Sequence, residues 1–338
     1  MADVASTDRV SGSTGRPSRA ELEAALEQHR VELTGYCYRM LGSGFEAEDA
    51  VQETLVRAWR SLDRFEGRAT LRSWLYRIAT NVCFDMLKGQ QRRARPIDLG
   101  PSSSVGAAPP AALPEHTWLW PVPDDLVVPR SHDPAEVAVS RATIRLAFVA
   151  ALQHLPPRQR AVLILREVLR WKAAEVAELL GTSVASVNSA LQRARSTLAA
   201  SDLAADAGRA EPPDDEQRAL LARYVDAFER FDIESLVSLL REDATLSMPP
   251  HDMWLQGATE LGRWWLGPGA GCRGSRLVPV MANGVPAFAQ YRPSGPGGTL
   301  EPFNIQIVEM AAGRISAVHY FLDTNLFPLF GLPSRFES

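Results

Sequence analysis

Residues 174–198 read AEVAELLGTSVASVNSALQRARSTL, two amphipathic runs broken by a glycine. Val176, Leu179 and Leu180 share one face of the first run, and Gly181 can take the left-handed conformation that a tight inter-helix turn requires. Thr182 or Ser183 can cap the second helix. There Val184, Val187, Leu191, Ala194 and Leu198 recur at three- and four-residue steps and form a stripe for burial. The opposite face carries Ser186, Ser189, Gln192 and Arg193, with no Asp or Glu from Thr182 to Leu198. Small residues allow close approach, amides and hydroxyls reach base edges, and arginine suits phosphate or guanine. The pattern predicts a helix-turn-helix entering a major groove, since a merely solvated face mixes charge signs more evenly.

Outward from this stretch, charge is segregated although the 338-residue chain nets only −4. Residues 21–56 hold eight acidic and two basic side chains, whereas residues 57–95 hold ten basic and three acidic. Residues 141–198 hold nine basic and three acidic, and residues 211–338 sixteen acidic and ten basic. Two basic blocks point to contact with nucleic acid at two places. No apolar run is long enough for a membrane span, and the polar N-terminus is unlike a signal. Cys37, Cys83 and Cys272 lack metal-ligand spacing and read as thiols in a reducing cytoplasm.

Residues 1–20 read as a disordered tail. From Glu21 the pattern is helical, with Leu22, Leu26, Leu33, Tyr36, Met40 and Leu41 on one face. A second helix opens after Gly44, with Val51, Leu55, Ala58, Trp59 and Leu62 inward and Glu48, Asp49, Gln52 and Glu53 outward. The helix from Thr70 to Lys88 buries Leu71, Leu75, Ile78, Val82 and Met86. Its other stripe is Trp74, Arg77, Asn81, Phe84 and Lys88. Aromatics interleaved with cations suit single-stranded nucleic acid, where bases stack and phosphates pair; contact with a neighbouring helix is the competing reading. Arg92, Arg93 and Arg95 suit a duplex backbone.

Residues 96–140 carry nine prolines, six acids and one basic side chain, and read as an extended acidic linker. Its apolar knot, Trp118, Leu119, Trp120 and Val122, must dock on something. Residues 141–200 are helical and contain the helix-turn-helix; residues 201–216 read as a second acidic linker. From Gln217 to Ser338 helices near 217–230 and 232–241 precede strands near 243–248, 276–282, 284–291, 302–311 and 313–321, with a short helix at 257–266. The chain is therefore multidomain, two all-α modules followed by an α+β unit whose curved antiparallel sheet wraps around helices.

Together AEDAVQET (47–54), Trp59, FEG (65–67), SWLYRIATN (73–81), LPPRQR (155–160) and the helix-turn-helix resemble the extracytoplasmic-function group of bacterial sigma factors. The remainder resembles a SnoaL-like cone, as in actinobacterial members with a fused extension, and MPP (248–250) and FLDTNLFP (321–328) support that narrower match. The resemblance implies that Glu48, Asp49, Gln52, Glu53 and Trp59 bind core RNA polymerase at the largest-subunit clamp, with a further contact at the flap. Arg68, Thr70, Trp74, Arg77, Asn81, Phe84 and Lys88 would melt and hold the downstream promoter element with a flipped base. Asn188, Ser189, Gln192 and Arg193, flanked by Ser186 and Arg195, would read the upstream element, and the linker would thread through the polymerase.

The cone's mouth has Met248, Trp254, Trp264, Trp265, Phe288, Tyr291 and His319 as candidate lining for a small-molecule ligand. Isomerase-like chemistry would need His251, Asp252 or His319 as acid or base. The expectation is instead ligand sensing or docking on the helical modules, with no catalytic residue, cofactor or metal and no membrane partner. An anti-sigma factor is a further candidate partner. A stand-alone helix-turn-helix regulator is the alternative reading of the whole chain.

Overall fold

The structure is a computed structural model that describes residues 19–62, 65, 69–106, 111–130, 133–199 and 214–336. Of the tail expected over 1–20, residues 1–18 lie outside the described residues, as do Arg68 and residues 201–213 of the second linker; Arg19 and Ala20 already belong to the first helix. Helix α1 (Arg19–Leu41) buries Leu33, Tyr36 and Met40, α2 (Gly44–Ser61) buries Ala47, Val51 and Ala58, and α3 (Leu71–Met86) buries Leu75, Ala79 and Val82. The side chains of Ser43 and Thr70 cap α2 and α3 by accepting from the backbone N–H of Glu46 and Ser73. Two expectations need correction. Trp59 is 42% exposed rather than inward, because the inner face of α2 runs through Ala47, Ala50, Thr54 and Ala58, one helical step away. On α3 the buried face is turned toward Tyr76, Thr80 and Cys83, leaving Leu71, Ile78 and Met86 half-buried.

The proline-rich segment is not a free tether. It carries α4 (Asp124–Val127), and α5 (Pro134–Ala142) runs past its expected end; the Asp133 carboxylate caps α5. Trp118, Leu119, Trp120 and Val122 are buried. The backbone holds them in place: Leu119 N–H donates to Ala94 O at 3.0 Å and Trp120 N–H to Gly42 O at 3.0 Å.

Helices α6 (Leu146–Gln153), α7 (Pro157–Leu163, continued by a π turn over Ile164–Val168), α8 (Ala173–Leu180) and α9 (Val184–Ala199) form the second module. Gly181 ends α8 at φ 60°, ψ 44°, a left-handed cap that a side chain would strain. Ser183 then caps α9, accepting from Ser186 N–H at 3.1 Å. Val184, expected in the buried stripe, is 43% exposed because it opens the first turn before α9 meets its neighbours; Val187, Leu191 and Ala194 are buried. Both helical modules share one apolar cluster, running from Leu33 and Tyr76 to Trp171, Val176 and Leu191.

The C-terminal unit places α10 (Asp215–Glu229), α11 (Ile233–Ser238) and, after β1 (Leu240–Ser247) and β2 (Trp254–Gln256), α12 (Ala258–Leu266) against a sheet. With β3 (Arg276–Ala282), β4 (Val285–Pro293), β5 (Leu300–Ala311) and β6 (Arg314–Phe321), the strand order is β2-β1-β6-β5-β4-β3. The sheet is not wholly antiparallel as expected, since β1 runs parallel to β6 while its other pairs are antiparallel. Strand alternation sends Phe288, Val308 and Val318 to the helices. It sends Ala287, Ala289, Ile305 and Ile307 to the other face, where Trp118 and Trp120 lie with them. The linker's two tryptophans are thus the filling between a helical module and a β-sheet.

Candidate nucleic-acid and polymerase interfaces

Among the polymerase candidates on α2, Asp49 and Gln52 are exposed and Glu48 and Glu53 half-buried. Glu53 is held by Arg57 at 2.7 Å, and Arg57 reaches on to Asp85 at 3.0 Å. Val56, 40% exposed, lies beside Trp59 on the same side and was missed by reading acids alone. An acidic face with two large apolar side chains left outward has the composition of a docking surface rather than of a solvated one.

On α3, Arg77 and Asn81 are exposed and Trp74 and Phe84 half-buried; Lys88, just past the end of the helix, is exposed too. Trp74 leans on Phe65 with ring centroids 5.0 Å apart and 44° between planes. Lys88 and Arg57 hydrogen-bond Asp85 and hold its carboxyl below the ordinary aspartate range. Thr70 is exposed, and its hydroxyl oxygen is occupied in capping α3. A cavity of about 260 Å³ separates Thr70, Ser73, Trp74 and Arg77 from Glu175, Glu178 and Leu179 of α8. The stripe's cations face solvent, while Trp74 packs against the apolar cluster that the two modules share.

The basic cluster is mostly spent inside the protein, which corrects its assignment to duplex DNA in this state. Arg93 is 4% exposed, pairs with Glu46 at 2.5 Å and donates to the carbonyls of Glu115 and Trp118. Arg95 pairs with Asp98 at 3.1 Å. Burial beside the returning linker demanded partners for both guanidinium groups. Arg92 stays exposed, against His154. On α9, Ser186, Asn188, Ser189, Gln192, Arg193 and Arg195 are all exposed along one helix. Arg195 is bound to Glu167 at 2.6 Å; Arg193 makes no ion pair among the described residues.

The expected pocket of the cone is not assembled. Met248, Trp264, Trp265 and Phe288 are packed in the core under the helices. Trp254 donates its indole N–H to Gly100 O in the linker at 2.9 Å. Tyr291 points to the other face, edge-on to Phe327 and Phe336 with centroids at 5.0 and 4.6 Å. The interior is filled instead by polar pairs, Tyr224 to Gln306 at 2.8 Å, Asn304 and Gln306 to Gln290, and Trp265 to Tyr320 at 3.1 Å. A groove of about 690 Å³ lies between α10 and β3–β4, lined by Leu221, Val225, Leu277, Met281, Pro286 and Phe288. Of the seven candidates only Phe288 reaches it. Asp252 is exposed; the His251 backbone bridges to Ala112 of the linker.

Residues 25–93 match the family Sigma-70 region 2, and residues 145–198 match Sigma-70, region 4. The ECF RNA polymerase sigma factor SigG of Mycobacterium tuberculosis is 47% identical over 317 residues, 93% of this chain and 85% of that protein. The chain belongs to the extracytoplasmic-function sigma factors. SigJ of the same organism is 28% identical over 87% of this sigma factor and 88% of its own length. The crystal structure of SigJ aligns with a TM-score of 0.56 at 23% identity, over 93% of this chain and 100% of that one, a likeness of fold along the whole length. The C-terminal unit, helices packed on one face of a six-stranded sheet, lies within the span of that alignment. As a sigma factor the chain is a regulator that binds core RNA polymerase and promoter DNA. Among its described residues no helix is long and apolar enough to cross a membrane, and no group of three or more His, Cys, Asp or Glu is placed to hold a metal.

The contact that sequence reading missed in this sigma factor is the tip of the β3–β4 hairpin. Asn283 is fully buried: its side-chain amide donates to Tyr38 Oη at 2.6 Å and Ile144 O at 2.7 Å, and its carbonyl oxygen accepts from Val122 N–H at 3.1 Å. Gly284 N–H donates to the Asp124 carboxylate at 2.8 Å, which also faces Arg141 at 3.4 Å. One Asn-Gly turn thereby ties the sheet to both helical modules and the linker. The Asn-Gly pair signals a hairpin in sequence. Nothing in its composition tells that the turn is buried.

A second tie is ionic. His319, expected in the cone's mouth, faces away from it, hydrogen-bonded to Ser247 Oγ at 2.7 Å and 3.5 Å from Glu309, whose carboxylate meets Arg145 at 3.3 Å. Burial alone would raise the Glu309 pKa, but the His319 hydrogen bond and the charges of His319 and Arg145 outweigh it and bring it from 4.5 to about 2. A depressed folded-state pKa gives stability that is present above 4.5 and lost as pH falls toward 2. Acid titration of the full chain should show this loss of stability, and Glu309→Gln should remove that component.

Proposed function

We propose that this sigma factor grips a promoter at two separate places and that its cone governs whether the two gripping modules are free to do so. The observation that supports the first half is that one chain exposes a polar, acid-free face on α9 and carries an aromatic–cationic stripe along α3, on different modules. Ser186, Asn188, Ser189, Gln192 and Arg193 read the upstream element in the major groove. Arg77, Asn81, Phe84 and Lys88, with Trp74 once uncovered and with Arg68 and Thr70 ahead of α3 in the chain, hold the melted downstream strand. Asp49, Gln52, Glu53, Val56 and Trp59, beside Glu48, dock on the clamp of the largest polymerase subunit, and the second module contacts the flap. Arg92 alone of its cluster is available to the duplex backbone while the linker is docked.

The cone's part rests on Asn283 and Glu309, which bind it to both modules. Engaging separate promoter elements requires the shared core of those modules to part, and a cone clamped across them opposes this. The groove beside α10 would admit a small apolar ligand, and its β3–β4 wall leads straight to the Asn283–Gly284 tip. An anti-sigma factor would compete for the same helical surfaces. A catalytic role fits poorly, since His319 is engaged by Ser247 and Glu309 and Asp252 lies on the surface.

Run-off transcription with core polymerase and genomic DNA tests the reading. Added protein should direct start sites that core alone does not use, and Arg193→Ala should weaken upstream-element binding by about 1–3 kcal/mol. A stand-alone regulator would bind promoter duplex specifically without polymerase, at about nanomolar affinity. Failure to co-elute with core would sink the proposal.

A further inference from the structure

We infer that in the free sigma factor the helix-turn-helix module covers the single-strand stripe, with Glu175 and Glu178 of α8 standing where DNA phosphates would come. This rests on the reading of the α3 stripe given above and adds its regulation. Trp171, at the entrance to α8, is buried against the first module, 5.0 Å from the Tyr76 ring and 57° to its plane. Arg72 lies 5.3 Å from both ring centres and forks onto the Glu32 carboxylate at 2.9–3.1 Å. Burial would raise the Glu32 pKa, but hydrogen bonds from His29 and Arg72 outweigh it and keep the carboxyl below its ordinary range. On the far side Arg160 donates to Met40 O and to Gln153 Oε1. These anchors set α8 across the start of α3, so that Glu175, Glu178 and Leu179 form one wall of the cavity of about 260 Å³ whose other wall is Thr70, Ser73, Trp74 and Arg77.

A base entering to stack on Trp74 meets Leu179, and a phosphate approaching Arg77 meets two carboxylates. Like charges brought to one cavity repel, and with Glu175, Glu178 and Arg77 exposed to solvent that repulsion weakens as salt rises. The cover is one-sided. Helix α9 keeps its whole reading face exposed, so the closed chain can still meet duplex DNA while the stripe that melts it is shut. Polymerase, by holding the two modules at separate sites, lifts the cover.

The probe is the fluorescein-labelled non-template strand of a promoter mapped by run-off transcription, titrated with the full-length free chain. Glu175→Gln with Glu178→Gln should tighten binding about 5- to 20-fold, as expected for repulsion removed close to a stacking site. Glutamine keeps the backbone cap that Glu175 gives Lys172 N–H. The gain should vanish in a Trp74→Ala background. The charge-matched pair Glu234→Gln with Glu242→Gln, on the exposed cone surface, should give less than a twofold change. Wild-type binding as tight as that of the α8 pair, or a gain that survives Trp74→Ala, overturns the inference. Normal melting by holoenzyme carrying Trp74→Ala would instead condemn the stripe itself, which keeps the two failures distinguishable.

Discussion

Holoenzyme assembled with Trp74→Ala and Phe84→Ala is expected to dock on its promoter and fail to open it. Stacking of a base on an aromatic side chain contributes about 1–3 kcal/mol, so each ring lost should lower the open-complex equilibrium about 5- to 150-fold. Initial docking is assigned above to the exposed faces of α9 and α2 rather than to these rings, and should change little. Permanganate reactivity of unpaired thymines measures the first quantity and band-shift of closed complexes the second. Trp74→Phe serves as the control for packing, because it keeps a ring against Phe65 and should restore most of the melting. Normal permanganate reactivity in the double variant would remove α3 from the mechanism.

The next largest effect should come from the hairpin tip. Gly284 sits at φ +74°, and a Cβ built there would lie 2.5 Å from Arg141 O, a backbone atom that cannot swing aside. Gly284→Val combines this overlap with left-handed strain of about 1–2 kcal/mol. Asn283→Ala removes three buried hydrogen bonds and leaves their partners unsatisfied, at about 1–3 kcal/mol for each stranded group. Either change should shift the cone's docking equilibrium by about 3 kcal/mol, roughly a hundredfold. The chain should then expand in solution scattering and be cut more readily by protease near the linker. Transcription per bound polymerase should rise if the cone restrains the modules. An unchanged radius of gyration in both variants would mean that the tip does not hold the closed state.

The helices and strands of this sigma factor were legible because their signals are local. Gly181 with Ser183 announces the turn before α9, and prolines 156 and 157 start α7 after Leu155. Alternation along β4 and β6 was readable, yet which side faced the cone's interior was not: Tyr291 and His319 looked like lining and lie on the other face. Arg93 and Arg95 read as DNA contacts by composition, and tertiary burial paired them with Glu46 and Asp98 instead. The proline-rich linker advertised its two tryptophans as needing a cover without saying what the cover was.

The sequence by itself determined two helical modules, an α+β unit and the polar and cationic faces proposed to meet nucleic acid, because helical period, strand alternation and charge depend on near neighbours in the chain. Only the tertiary structure decided which of those faces are open. Trp171 seated against Tyr76, Asn283 bound to Tyr38 and Glu309 set beside Arg145 all join residues more than ninety positions apart. Their contact energies depend on how whole elements pack, and no local pattern encodes that.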